Sequence, residues 1–126
     1  MTDEQFSTYI DRAVASLPKE FRDKMENVAI VIEDYPSDEH LASVRMRRGR
    51  RLLLGLYQGI PRTKRGAMYG VGGTLPDKIT IFKYSVLQIV QTEEELIAQV
   101  RSTVLHEIAH HFGMSEEEIK KAQSDR

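Results

Sequence analysis

The sequence predicts a small single-domain α+β fold spanning residues 1–126. About three or four short strands form a sheet, packed against N-terminal helices and a long C-terminal helix. Three observations carry this reading. Apolar residues recur at helical spacing in the first 26 residues. Short β-branched or alternating runs follow near 28–32, 52–57 and 78–84, separated by turn-rich segments. Helical periodicity then returns after residue 92 and carries two histidines four residues apart.

Thr2 and Gln5 have the spacing of a capping box that opens the first helix. Phe6, Tyr9, Ile10, Ala13, Val14 and Leu17 form its apolar stripe. Pro18 interrupts this helix and fits the first turn of a second short helix over 19–26, with Phe21 and Met25 buried. The continuous run 28–32 predicts a strand buried on both faces. Glu33 and Asp34 end it as solvated acids. Ser37, Asp38 and Glu39 open a helical turn, and His40 is read as a surface histidine.

A second strand covers 52–57. Residues 61–77 hold four glycines and two prolines and form a long connection. The glycines match no phosphate-binding fingerprint, because no G-K-[ST] follows them. The connection flanks the cleft in this reading, with Tyr69 as a candidate oxyanion donor. Residues 78–84 alternate as a third strand, and 85–90 form a short helix. Thr92 and Glu95 make a second capping box, starting a helix over about 93–112. Ser115 and Glu118 make a third, starting a last short helix.

Composition is that of a water-exposed globular chain, 40% hydrophobic and 29% charged. No apolar run has the length of a membrane span. The acidic start M-T-D-E-Q-F is unlike a signal peptide, so a cytoplasmic protein is expected. With no cysteine, any metal must be held by nitrogen and oxygen. Net charge is −1, but residues 43–65 carry eight Arg or Lys and no acid. Five of these, Arg45, Arg47, Arg48, Arg50 and Arg51, crowd into seven positions. No aromatic residue interleaves them for base stacking, so a solvated loop is favoured and a nucleic-acid partner is not expected.

The chemistry lies in His106-Glu107-Ile108-Ala109-His110. At about 3.6 residues per turn, the two histidines share one helix face and can share one ion. Glu107 stands beside that ion, where a carboxylate can take a proton from a metal-bound water. On a wheel of about 100° per residue, Leu96, Ile97, Val100, Val104, Leu105, Ile108, Ala109 and Phe112 fill one arc. His106 and His110 fall outside that arc beside Gln99 and Thr103. His111 falls within it and is read as a packed histidine bonded to a backbone carbonyl.

Gly113 follows His110 by three residues, and Glu116 follows Gly113 by three. H-E-x-x-H-x-x-G-x-x-E resembles the compact zincin signature, in which the chain turns at glycine and returns a third ligand. Glu116 has the matching offset. Glu117, Glu118, Asp125 and upstream residues are the other candidates; Glu118 is explained as a cap partner, and Glu117 is the runner-up.

L-P-K-E-F, N-V-A-I-V-I-E-D-Y-P, L-L-G-L-Y-Q-G-I-P, L-P-D-K-I-T-I-F and H-E-I-A-H-H-F-G together resemble the minimal zincin-like metallopeptidase family of bacteria, roughly over 17–119. The resemblance implies a small α+β fold with the metal helix against a short sheet. It also implies one Zn2+ ion per chain, His106 and His110 as ligands, Glu107 as general base and Glu116 as third ligand. The arginine run is not part of it. The function expected is zinc-dependent hydrolysis of a peptide or protein substrate. A second reading is a non-catalytic binding module that meets an acidic partner or nucleic acid through the arginine run. A third is a closed structural zinc site.

Overall fold

The computed structural model describes residues 1–48, 53–59 and 75–124, with the side chains of 45–48 excepted. In chain order its elements are α1 (Asp3–Ala15), α2 (Lys19–Lys24), β1 (Val28–Glu33), α3 (Asp38–Arg48), β2 (Gly55–Gln58), β3 (Asp77–Phe82), α4 (Lys83–Leu87), α5 (Glu93–His111) and α6 (Glu116–Ser124).

β3 is the middle strand. β1 pairs with it in parallel and β2 antiparallel, giving the order β1-β3-β2. Its alternation sends Ile79 and Ile81 into the main core. Phe82 goes to the other face, into a small cluster with Leu56, Leu53 and Val44 of α3. Helices α1, α2 and α5 cover the first face, where Phe6, Ile10, Ala13 and Phe21 meet Leu96, Val100, Val104, Leu105 and Ile108.

The first capping box forms as read. Thr2 Oγ1 accepts from Gln5 N at 3.1 Å, and Thr2 N donates to Gln5 Oε1 at 2.8 Å. Pro18 sits one position earlier than expected, as the N-cap of α2. β1 is half-buried throughout rather than buried on both faces, because among the described strands it has one neighbour and lies at the sheet edge. Helix extends further than one turn after Ser37, carrying the backbone of Arg45, Arg47 and Arg48 in α3 instead of a loop. β2 starts at Gly55, three residues after the predicted start. β3 ends at Phe82, two residues early, and α4 follows without a loop. Lys83 explains that stop: its buried ammonium donates to Asp3 Oδ1 at 3.0 Å, tying α4 to the first turn of α1. The same hydrogen bond raises the Lys83 pKa above its ordinary value.

Thr92 caps α5 by accepting from Glu95 N. The Glu95 carboxylate reaches Gln91 N at 3.4 Å and the Thr92 hydroxyl at 3.3 Å, so the return half of the box falls one residue early. The predicted apolar arc is the buried arc of α5, except that Ile97 is half-buried and Phe112 is 47% exposed. Arg101, Thr103 and Glu107 are buried on other sides of the helix, which β2 and α6 cover.

β2 comes very close to α5 at Gly55. A Cβ there would stand 2.6 Å from Thr103 Cγ2 and 3.2 Å from the Thr80 carbonyl oxygen. Only glycine lets strand and helix meet at this distance. Gly55→Ala is therefore expected to destabilise the fold by about 1–3 kcal/mol, the usual range for overpacking, measured by urea unfolding. Thr103→Ser in the same chain should recover part of the loss by removing the opposing methyl.

Candidate metal centre

Two turns of α5 present the motif. The His106 and His110 rings lie 6.0 Å apart between centroids, edge to face. His106 is half-buried and His110 is exposed. His106 Nδ1 lies 2.8 Å from the Ser102 carbonyl oxygen, one turn earlier. A carbonyl only accepts, so Nδ1 carries the proton and Nε2 the lone pair. This outer-shell arrangement fixes a ligating imidazole in ring angle and tautomer. Gln123 Nε2 of α6 donates to Ser102 Oγ at 2.8 Å, bracing the same turn from outside.

Glu107 faces β2 of the sheet. It is 5% exposed, and its Oε1 accepts from the backbone N–H of Tyr57 at 3.0 Å. The β2–β3 register explains why that N–H is available to it. Phe82 N donates to Leu54 O, so Leu54, Leu56 and Gln58 face β3, while Gly55 and Tyr57 turn their backbone groups outward. His106 and Glu107 line one small cleft of about 150 Å³ with Leu54, Gly55, Gln99, Ser102 and Thr103.

The end of α5 is made by Gly113 at φ 67°. Gly113 N donates to His110 O at 3.2 Å and Met114 N to Ala109 O at 2.9 Å, the paired bonds of a Schellman turn. Met114 packs on the core beside it. The chain reverses into α6 through the third capping box, with Ser115 N to Glu118 Oε1 and Glu118 N to Ser115 Oγ both at 3.1 Å. These bonds to Ser115 hold the Glu118 carboxyl below its ordinary pKa, as expected of a cap partner. Glu116 stands in the first turn of α6, exposed. It and His106 line one depression of about 500 Å³ with Ile119, Lys120 and Gln123.

Of the predicted residues, His106 stands beside His110, lines a cleft with Glu107 and lines a separate depression with Glu116. Among the described residues, no group of three His, Cys, Asp or Glu is gathered closely enough to hold a metal. In kind, the residues fit zinc: two imidazoles, one with its tautomer set by Ser102, and a carboxylate just past the bend. Tyr69, Asp125 and the side chains of the arginine run lie outside the described residues.

His111 is a correction. It is exposed rather than packed, and it stacks on Tyr57 with ring centroids 3.9 Å apart and planes 16° apart. The apolar arc leaves the body at this last residue of α5, so position on the wheel overstates burial. Tyr57, Ser102 and Gln123 were not singled out from the sequence. Ser102 had a local signal, being four residues before His106; Tyr57 had none, being 50 positions from Glu107.

The sequence profile of the family described as zincin-like metallopeptidase matches residues 25–125. The chain belongs to the zincin-like metallopeptidase family. The match begins later and ends later than the stretch that carried the resemblance. A conserved hypothetical protein from Thermo thermophilus has a similar solved structure, with a TM-score of 0.53 and 24% identity. The alignment covers 89% of this chain and 94% of that one, and the likeness concerns the fold. No curated protein matches.

α6 is held in place partly by Arg101, which is 5% exposed. Its guanidinium donates to the carbonyls of Ala122, Gln123 and Ser16, each at 3.4 Å, at the ends of α6 and α1. Arg101→Met keeps the stem and removes the donors. Stability should fall by about 1–3 kcal/mol, with amides of α6 losing protection first in hydrogen exchange.

Proposed function

We propose that the protein is a zinc-dependent peptide hydrolase, with His106, His110 and Glu116 as ligands and Glu107 as general base. The observation that carries this reading is the placement of Glu107. A buried carboxylate lies in the cleft lined also by His106, with one oxygen fixed by the edge of the sheet. Membership of the metallopeptidase family supports it.

When bound, zinc would act as a Lewis acid on a water and on the scissile carbonyl. Glu107 takes the proton of the attacking water and returns it to the departing amine. The bond from Tyr57 N–H keeps the carboxylate from swinging away between these transfers. His106 is held in one tautomer by Ser102, so its Nε2 faces outward as a lone-pair donor. A peptide substrate would lie extended along the sheet edge beside the cleft that His106 and Glu107 line.

The test begins with metal content, measured by plasma mass spectrometry on protein purified without added metal. The parent should hold close to one zinc per chain. Glu116→Ala should weaken zinc binding by more than the roughly 10- to 100-fold typical of losing an outer-shell partner. A parent that neither contains zinc nor takes it up sinks the proposal.

A second experiment isolates the base. Glu107→Gln should retain zinc and lose peptide hydrolysis by about 10²- to 10⁴-fold, the usual contribution of a general base. Zinc retention with full activity in this variant would remove Glu107 from the mechanism.

A further inference from the structure

We infer that Tyr57 is a positioning residue for Glu107, and that Asp77 and His111 clamp it for that purpose. The functional meaning rests on the hydrolase reading; the clamp itself is a matter of geometry. β2 is four residues long, pairs with β3 on one side and donates its outward N–H to a buried carboxylate. A strand so short would let that N–H move unless something else held it.

The Tyr57 side chain supplies the hold. Its phenol O–H donates to Asp77 Oδ2 at 2.7 Å. Asp77 opens β3, and its own N–H is bonded to Asn27 O at 3.0 Å, so the phenol is tied to the central strand. The face of the ring is covered by His111. Glu107 and His111 are four residues apart on α5 and so share one side of the helix. One helix therefore grips one strand residue twice, the backbone N–H through Glu107 and the ring through His111. Those two points, with Asp77 as a third, hold the strand residue that the carboxylate meets. His111 is itself exposed, and this stack joins it to β2.

Amide hydrogen exchange on ¹⁵N-labelled, metal-free protein tests this. Tyr57 N–H should be protected in the parent, and Glu107→Ala should release it. His111→Ala and Tyr57→Phe should each speed its exchange by roughly 5- to 10-fold, the equivalent of one ordinary hydrogen bond. Leu56 and Gln58 face β3, so their amides should keep the parent rate. His111→Phe retains a stacking ring and should restore protection. Unchanged exchange at Tyr57, or equal acceleration at all three amides, overturns the clamp. In turnover, clamp variants should lower kcat with KM unchanged, and His111→Phe should recover it; a raised kcat would mean that the contact restrains Glu107 and would overturn the role. Because the exchange is read without metal, a failed hydrolase reading and a failed clamp give different results.

Discussion

A carboxylate buried on a helix needs a donor from elsewhere in the chain, since its own helix has none to spare. For Glu107 one such donor is an outward N–H of β2, at the end of the strand order among the described residues, and the arrangement works only while β2 lies almost against α5. Gly55 makes the approach sterically possible, and the register with β3 decides which N–H groups face the helix. Beside it on the same face of the sheet, α1 and α2 pack their apolar residues against α5. The geometry of the motif is thus set by packing over the whole domain rather than by five residues of helix.

The return of the chain after α5 shows similar economy. A single positive-φ glycine ends the helix, Met114 closes the turn over the core, and Ser115 begins the next helix at once. Glu116 is delivered one residue later. Nothing in this segment depends on a long loop, so the separation between His110 and the acid is governed by two capping motifs. Arg101 and Gln123 then secure the far end of α6 to the body, which keeps the depression between α5 and α6 in shape.

Much of this was legible in the sequence because it is local. Capping boxes, the glycine turn, the apolar arc of α5 and the spacing of His106, Glu107 and His110 are all decided within a few residues of chain. The structure departs from the local pattern where tertiary pairing overrides it. The apolar run of β1 suggested a strand covered on both faces, but sheet order made it an edge. The alternation of β3 continued through Tyr84, but Lys83 was drawn to Asp3 and the strand turned to helix. His111 sat correctly on the wheel and wrongly in space, because a wheel carries no information on where a helix leaves the core. Tyr57 could not be found at all, since its partners at 77, 107 and 111 are joined to it only by the fold.

The order of elements along the chain has a consequence for biogenesis. Among the described residues, α1, α2, α3, α4 and the three strands precede α5, which packs on α1, α2, α4, β2 and β3, and α6 follows it. During vectorial synthesis the sheet and its N-terminal helices emerge first, and the histidine pair is the late arrival. Its glutamate meets its backbone donor on β2, which pairs with β3. A nascent chain therefore carries the scaffold before the histidine motif, and Glu107 meets Tyr57 when the long-range contacts close. The buried carboxylate of Glu107 thus gains its strand partner through the fold and not through the helix that carries it.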